Sequence, residues 1–494
     1  MVKAFLRERV EAGPLQGREQ AALLMLFVGT VALRLIPTVF FPSLNHQDEL
    51  FQTLEQAHRL VFGYGEVPWE FHLGARSWLL PGALAGLMWL GDQLRDSPTY
   101  YLGAAHLGLA ILAATSILCA FFWGRRWFGF WGGLVAASLP ALWPDAVYFG
   151  ARSLSACAAA PLLVIGLYYL DAPARGFART RKFAAGLFLG LATAVRLQLA
   201  PALALVLLWR GIALARRRTT LKAETPLLIG IAIALGAAGL LDALTWRYPF
   251  QSFWLYFDYN VLYGVAADFG TQPWYFYLVG LIDHWGWCFP VIFALALLGG
   301  RRLTLPLTAA LVILATHSLV GHKEYRFIYP AILLLLITGG IGLAQLVAWF
   351  GSLSSGAARG AAFAALAGTA LASAVFAASP AMRPMWRGNH DLIEAATFVS
   401  RLDHVCGIGA EGTYGGYAYF HRDVPFYWLR RAGDLKRDAP GFDVLLTTKS
   451  LPQGFADLRC FGKTCVARRA GTCAPIAPRP VFLSSPVAAS ATPG

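Results

Sequence analysis

The sequence has 494 residues, of which 57% are hydrophobic and only 14% are charged, a composition too apolar for an ordinary soluble domain. Its formal net charge of +14 comes from short basic runs between apolar stretches, which argues against a nucleic-acid-binding surface. The sequence also contains no Walker A loop, HExxH motif or Cys-His metal cluster. The composition therefore predicts a polytopic membrane protein.

Eleven apolar stretches recur along the first 380 residues. Because a hydrocarbon core of about 30 Å needs roughly 20 apolar residues per helix, we predict each stretch to be a membrane-spanning helix. The predicted spans are residues 21–41, 100–123, 128–143, 153–171, 183–196, 198–214, 226–244, 275–298, 303–320, 325–348 and 358–379. The predicted fold class is thus an all-α polytopic membrane protein with about eleven transmembrane helices.

The basic residues predict how these helices are oriented. If the N-terminus is cytoplasmic, the basic clusters between the spans lie on the cytoplasmic side, as the positive-inside bias requires. These clusters are Arg125/Arg126, Arg175 to Lys182, Arg210 to Lys222, Arg301/Arg302 and Arg359. Residues 42–98, residues 245–273 and the short turn at 321–326 then lie on the outer side.

Changes in composition divide the chain into segments. We predict a cytoplasmic N-terminus at residues 1–20 and a membrane-embedded domain at 21–380, with a long outer first loop at 42–98. A small extracytoplasmic domain, α/β or irregular, is predicted at 381–480 and a disordered tail at 481–494. The C-terminal region is therefore expected to fold outside the membrane.

The cysteines are consistent with export of that region. Four of the seven lie there, and they are Cys406, Cys460, Cys465 and Cys473. An even number of cysteines in an oxidising compartment favours disulfides over zinc. The pairing among the four is left open.

Two adjacent carboxylates follow the first predicted span, in the segment Asn45-His46-Gln47-Asp48-Glu49. In one interpretation Asn45 is the N-cap of a helix and Asp48 its N3 residue. In the other, a carboxylate at the mouth of a membrane cavity acts as the general base that takes a proton from an acceptor hydroxyl. Both interpretations remain open at this point.

Four ionisable residues lie between two predicted spans, in the segment Gly321-His322-Lys323-Glu324-Tyr325-Arg326-Phe327. Ionisable groups at such a position are costly unless paired and often mark a functional site. Lys323 and Arg326 could bind a lipid phosphate while Glu324 holds one of them in place. The alternative is that the two cations only extend to lipid headgroups.

A third segment, Phe269 to Tyr277, is rich in aromatic residues and closes an outer loop. Such residues usually form an interfacial belt, although their rings also pack against sugars. Arg76, in the first outer loop, is placed to reach an anionic donor. An ion pair with Glu66 or Glu70 explains Arg76 equally well.

Taken together, these segments resemble the Alg9-like mannosyltransferases, glycosyltransferase family 22. The family motif His-Pro-Asp-Glu corresponds to His46-Gln47-Asp48-Glu49, and His-Lys-Glu-x-Arg-Phe matches His322 to Phe327 in full. The family element Tyr-Gly-x-His-Pro-Trp-x-x-Tyr is matched from Phe269 to Tyr277, with Phe for Tyr and Gln for His. The resemblance covers about residues 20–350.

The resemblance implies the GT-C fold and a metal-independent, inverting transfer of mannose from a polyprenyl-phosphate donor to a lipid-linked or glycan acceptor, forming an α-mannoside. It implies Asp48 as the general base, with Glu49 as its alternate or partner. The cations expected to face the donor phosphate are Arg76, His322, Lys323 and Arg326. The residues expected to contact the sugar or the acceptor are His46, Gln272, Trp274, Tyr277 and Glu324.

Other functions remain open from sequence alone. A related GT-C enzyme would use another lipid-phosphate sugar, such as glucose or an arabinose-type sugar, and a lipid-linked sugar flippase would also need a basic, aromatic cavity. The position of the charges at one face, rather than at the bilayer midplane, favours the enzyme.

The expected partners are a polyprenyl-phosphate sugar, a glycolipid or glycan acceptor and membrane lipids, with no nucleic acid, no metal and no other cofactor. The use of Ala, Leu and Arg favours a bacterial inner membrane, with the N-terminus in the cytoplasm and the active site and C-terminal domain in the periplasm. An endoplasmic reticulum lumen is the alternative for the outer side.

Overall fold

The computed structural model describes residues 14–171, 177–352, 357–431 and 433–478. The predicted disordered tail at 481–494, most of the predicted cytoplasmic N-terminus and Arg175 lie outside the described residues. The chain forms two compact units. The first contains the N-terminal helix up to Val39, Ser77–Leu79 and His106–Pro384, and the second contains Phe40–Arg76, Leu80–Ala105 and the chain from Met385 onward.

Most of the predicted outer loop at 42–98 therefore belongs to the same compact unit as the C-terminal region. The segment boundaries expected from composition, after residue 20 and after residue 380, stay predictions.

The chain is mostly helical. Its longer α-helices are Gly17–Val39, Pro98–Leu142, Ser155–Asp171, Ala178–Val195, Ala200–Ala215, Leu221–Thr245, Phe276–Trp285, Cys288–Gly300, Thr304–Leu319, Tyr329–Gly351 and Ala357–Ala377. Shorter helical segments between them are Pro144–Phe149, Leu197–Leu199, Gln251–Phe257, Asp258–Leu262, Val265–Phe269 and Tyr325–Ile328.

Among the described residues, six helices are long and apolar enough to cross a membrane, or seven if the bent pair Phe276–Trp285 and Cys288–Gly300 counts as one span. The predicted number of eleven is not confirmed and stays a prediction. Two of the predicted spans, 100–123 and 128–143, fall on the single 45-residue helix Pro98–Leu142, which is interrupted by the non-helical backbone of Gly129. A continuous helix of that length would extend about 68 Å, roughly twice the hydrocarbon core.

Small residues allow helices of the first unit to approach closely. An added Cβ at Gly186 would lie 2.0 Å from the carbonyl oxygen of Leu227, and one at Gly342 would lie 2.0 Å from that of Leu295. Only glycine fits where one helix backbone lies this near another, as is common among membrane helices. These contacts pair Ala178–Val195 with Leu221–Thr245, and Cys288–Gly300 with Tyr329–Gly351.

Arg34, in the first helix, is buried and holds the break after Leu142. Pro144 has no N–H to bond the Pro140 carbonyl, and Arg34 replaces it, because Nη2 donates to Pro140 at 3.0 Å. Nη1 of Arg34 donates to the carbonyls of Thr30 at 3.2 Å and Ala141 at 3.3 Å. This arginine therefore fixes the start of the short helix Pro144–Phe149.

The second unit contains a five-stranded sheet, so the C-terminal region is α/β rather than irregular. Its strands are β1 (Ile408–Glu411), β2 (Phe426–Leu429), β3 (Val444–Thr447), β4 (Phe455–Phe461) and β5 (Thr464–Arg469). They are ordered β2-β1-β3-β5-β4; β1 is parallel to β2 and β3, whereas β5 is antiparallel to β3 and β4.

Helices of the second unit cover this sheet and form the first outer loop. They are Gln47–Glu49, Leu50–Leu54, Glu55–Phe62, Trp69–Leu73, Leu79–Asp92, Arg383–Arg387, His390–Val399, Tyr417–Phe420 and Asp434–Asp438. Leu392, Val399, Ile408, Val444 and Val466 form part of the buried core between helix His390–Val399 and the sheet.

The four cysteines of this unit form two disulfides, Cys406–Cys473 and Cys460–Cys465. The first joins residues 67 positions apart. Closing a loop of that length stabilises the fold by about 4 kcal/mol through the unfolded chain.

Candidate active site

The first predicted motif begins a helix in the second unit. Gln47 starts this helix, which continues through a π-helical turn at Leu50–Leu54 to Phe62. The N-cap is His46, in an extended conformation and without a side-chain cap hydrogen bond, whereas the Asn45 amide donates to the Met385 carbonyl at 3.0 Å. The interpretation of Asn45 as the helix cap was therefore wrong. Because a π-turn costs helical regularity, it often marks a functional position.

The two carboxylates of this motif lie in different environments. Glu49 is 0% exposed, and Asp48 is partly exposed. A carboxylate that receives a proton from an acceptor hydroxyl must be reachable by that hydroxyl. The geometry therefore suits Asp48 better than Glu49 for contact with a substrate.

A third carboxylate, Glu70, belongs to the same neighbourhood. It is buried and accepts a hydrogen bond from the Gln52 amide at 2.8 Å. Burial raises the pKa of Glu70; the Arg76 guanidinium acts in the opposite direction, and the Asp48 carboxylate adds to the increase. Asp48, Glu70 and Arg76 therefore interact electrostatically within one unit, and the expected interaction of Arg76 with Glu70 is present.

The second motif forms a turn in the first unit, between helix Thr304–Leu319 and the 3₁₀ turn Tyr325–Ile328. Arg326 and Glu324 form a two-pronged ion pair: Nε donates to Oε2 at 2.8 Å and Nη2 donates to Oε1 at 2.7 Å. Nε2 of His322 lies 3.3 Å from the same Oε1. Arg326 is only 6% exposed, so its guanidinium is held in one orientation.

Hydrogen bonds join this turn to the third motif. The Gln272 N–H donates to the Gly321 carbonyl at 2.9 Å, and Nδ1 of His322 donates to the Gly270 carbonyl at 2.8 Å. Lys323 Nζ donates to the carbonyls of Gln272, at 2.8 Å, and Val320. Two segments about fifty residues apart therefore form one polar surface.

The aromatic residues of the third motif differ in accessibility. Trp274 is 72% exposed, and the Gln272 side chain is also exposed, so both are available to a ligand. Tyr277 is only 2% exposed, and its ring belongs to the helix packing rather than to an open surface in this structure.

Arg196 is a further cation in this part of the first unit. It is buried, its Nη1 donates to Oγ of Ser155 at 3.2 Å, and its guanidinium lies 5.2 Å from the centre of the Phe327 ring. The Arg326 guanidinium lies 5.1 Å from the centre of that ring. Arg196 was not among the predicted site residues, although an arginine at the outer end of a predicted span, against the positive-inside bias, is a signal for it.

Asp145 was missed entirely. It follows Pro144 at the end of an apolar run and is buried, where it accepts hydrogen bonds from Tyr325 and Trp285. A carboxylate at the end of an apolar helix is the sequence signal that pointed to it.

The structure thus brings together the motifs at 269–277 and 321–327 in the first unit, and Asp48, Glu70 and Arg76 in the second. The Alg9-like mannosyltransferase family matches residues 25–385, which is more than half of the chain. The chain belongs to this family. The resemblance inferred from the three motifs is therefore confirmed.

Relatives in this family carry names of GPI-anchor enzymes. The chain is 28% identical over 329 residues to GPI alpha-1,2-mannosyltransferase 3 of Danio rerio, covering 65% of this chain and 59% of the relative. It is 28% identical over 342 residues to GPI mannosyltransferase 3 of Yarrowia lipolytica, covering 67% and 64%. It is 29% identical over 339 residues to Mannosyltransferase APTG1 of Arabidopsis thaliana, covering 65% and 59%. The chain thus spans less than two thirds of the length of these relatives.

Solved structures establish the GT-C fold of this Alg9-like chain. ArnT from Cupriavidus metallidurans bound to undecaprenyl phosphate has a TM-score of 0.58 at 13% identity, covering 93% of this chain and 98% of that one. The Archaeoglobus fulgidus oligosaccharyltransferase in complex with Zn and sulfate has a TM-score of 0.51 at 12% identity, covering 85% and 67%. At these identities the likeness concerns the fold alone.

Proposed function

We propose that this chain transfers a hexose, most specifically mannose, from a polyprenyl-phosphate donor to a lipid-linked or glycan acceptor at the outer membrane face. The reaction inverts the configuration at C1 and forms an α-mannoside. The observation that carries the proposal is the joined surface of the motifs at 269–277 and 321–327, where buried cations surround an exposed aromatic loop.

Arg326 is the donor-phosphate ligand that the geometry supports best. Glu324 holds its guanidinium in place through two hydrogen bonds, and its planar fork suits a phosphate. His322 borders the same pair, and Arg76 supplies a further cation from the first outer loop. Support from the fold comes from ArnT, which was solved bound to undecaprenyl phosphate.

Lys323 contributes its charge from behind the loop. Its ammonium donates to the carbonyls of Val320 and Gln272, with that of Gly321 at 3.5 Å, so its hydrogen bonds are used within the protein. A fixed positive charge still stabilises negative charge that develops on a departing phosphate.

The proposed chemical step needs no metal. Asp48 takes the proton of the acceptor hydroxyl as that oxygen attacks C1 of the sugar, and the C1–O bond to the phosphate breaks with its electron pair on the phosphate oxygen. Glu49 is buried next to Asp48 and acts as its partner or alternate. Trp274 offers an aromatic face to a sugar ring, while His46, Gln272, Glu324 and Tyr277 complete the proposed substrate contacts.

We propose the bacterial inner membrane as the location, with the N-terminus cytoplasmic and the active site and C-terminal domain periplasmic. The distribution of basic clusters and the Ala-, Leu- and Arg-rich sequence support this proposal. The relatives named above are eukaryotic, so they do not bear on the bacterial assignment.

The test is transfer of radiolabelled mannose from synthetic polyprenyl-phosphate-mannose to endogenous lipid acceptors in membranes containing wild type, Asp48→Asn or Asp403→Asn. Asp403 is an exposed carboxylate of the same unit and is the matched control. We expect Asp48→Asn to lose transfer by about 100-fold or more, as for removal of a general base, and Asp403→Asn to keep it.

Full transfer by a normally inserted Asp48→Asn would show that the base is another residue. Transfer by none of the three, with an active control enzyme present, would refute mannose as the sugar. The donor would then be changed to polyprenyl-phosphate glucose or arabinose, and lipid-linked sugar transport would be assayed.

A further inference from the structure

Asp145 lies at the meeting point of three chain segments in the first unit. It is 1% exposed and stands in the first turn of helix Pro144–Phe149. Its Oδ1 accepts the Tyr325 hydroxyl at 2.8 Å and its Oδ2 accepts the Trp285 indole N–H at 2.9 Å. A buried carboxylate is tolerated only when such donors satisfy it, so this geometry is strongly specified.

The ring of Tyr325 is confined on both sides. It stacks on the His284 imidazole with 3.9 Å between ring centres and 14° between planes. At Gly280, one turn earlier on the same helix, an added Cβ would lie 3.0 Å from Cδ2 of Tyr325. Helix Phe276–Trp285 therefore forms a slot for the ring, and Asp145 closes the end of that slot around the hydroxyl.

Tyr325 stands between Glu324 and Arg326 in the chain. Its side chain enters the slot, while its two neighbours form the two-pronged ion pair with each other. Since the three residues share one stretch of backbone, fixing the Tyr325 ring also fixes where the Arg326 guanidinium lies. Small displacements of such a donor have large effects on binding and rate.

We propose that Asp145 is a positioning residue for the phosphate site: by holding the Tyr325 hydroxyl, it sets the place of the Arg326 guanidinium. This inference rests on the proposed role of Arg326 toward the donor phosphate. Asp145 contacts no substrate in it and acts only through Tyr325, with His284 and Gly280 shaping the slot.

The experiment measures binding of synthetic polyprenyl phosphate, the reaction product, to the full-length protein in nanodiscs. The variants are Tyr325→Phe, which removes only the hydroxyl, Asp145→Asn, and the double variant. Tyr169→Phe, which removes a hydroxyl from a tyrosine stacked on Phe188 in the same unit, is the matched control. Thermal unfolding and the KM values for donor and acceptor are measured alongside.

We expect Tyr325→Phe to weaken polyprenyl-phosphate binding by about three- to tenfold, the range for a lost buried hydrogen bond, with Tyr169→Phe unchanged. The KM for the donor should increase while that for the acceptor stays constant. The double variant should be little worse than Asp145→Asn, because both changes break the same contact.

Wild-type affinity in both Tyr325→Phe and Asp145→Asn would overturn the positioning role, even if the variants unfolded at lower temperature. Equal increases in the KM for donor and acceptor would also overturn it, since that is the result of a general structural defect. Failure of the wild type itself to bind polyprenyl phosphate would instead refute the proposed donor, and this inference with it.

Discussion

Glu55 shows how a single residue joins the first outer loop to the C-terminal part of the second unit. Its carboxylate accepts the N–H groups of Glu66 at 2.9 Å, Tyr417 at 3.0 Å and Ala418 at 2.9 Å. The residue is completely buried. Burial raises its pKa to about 7, although the three amides act in the opposite direction. The pKa of the nearby Glu66 is also raised to about 7, first by burial and then by Glu55.

These pKa values predict a pH dependence of stability. Because the pKa of Glu55 in the folded chain lies above its ordinary value of 4.5, the unfolded chain loses the proton first as the pH rises. The stabilisation is therefore complete below pH 4.5 and is lost as the pH rises to about 7. We expect Glu55→Gln to make this fall in stability shallower, with Glu66 responsible for the remaining slope.

The measurement is the thermal unfolding midpoint of the full-length protein in detergent between pH 5 and pH 8. The matched control is Glu394→Gln, an exposed residue of the same unit, which should keep the wild-type dependence. An unchanged pH profile in Glu55→Gln would show that Glu55 is ionised in the folded protein throughout this range.

At the scale of helices, the important feature is the interruption between Leu142 and Pro144. The proline leaves the last carbonyls of the long helix without their usual partners, and Arg34 of another helix satisfies them. Gly150 makes room for this arginine, because an added Cβ there would lie 2.6 Å from its Cδ. The orientation of the short helix carrying Asp145 therefore depends on a side chain more than one hundred residues away.

Removing this side chain should be costly. We expect Arg34→Met, which keeps the length but loses the donors, to destabilise the protein by about 1–3 kcal/mol, as when buried carbonyls lose their hydrogen bonds. Arg216→Met, at an exposed arginine, is the control and should change little. The measurement is thermal unfolding in detergent, and equal midpoints for both variants and wild type would contradict the role of Arg34.

For the whole molecule, the proposed reaction requires the motifs of the two units to face the same side of the membrane. Exposed positions allow a direct test by cysteine labelling: Gln47 and Gln272 represent the motifs, and Arg216 represents a basic cluster. We expect Gln47→Cys and Gln272→Cys to react with a membrane-impermeant maleimide in intact cells, and Arg216→Cys to react only after permeabilisation.

The native cysteines interfere little with this test, because Cys119, Cys157 and Cys288 are buried and the remaining four form disulfides. The parent chain without an introduced cysteine provides the background. Labelling of Gln47→Cys and Gln272→Cys from opposite sides would refute a single site built from both motifs.

Much of the site was predictable where its residues are neighbours in the sequence. The strings His46 to Glu49 and His322 to Phe327 resemble family motifs that the comparison with known proteins confirms. The membrane class followed from hydropathy, and the C-terminal sheet from the change in composition. The helix cap at Asn45 was wrong because the side chain of that residue bonds to the Met385 carbonyl, which lies far away in the sequence.

The sequence by itself determined the membrane character, the family and the local motifs, because hydropathy and contiguous strings depend only on residues close together in the chain. The tertiary structure decided the disulfide pairing, the use of the Lys323 ammonium and the hydrogen bond between Tyr325 and Asp145. The last of these joins residues 180 positions apart. Such contacts depend on which helix faces meet, and no local pattern of residue types specifies that.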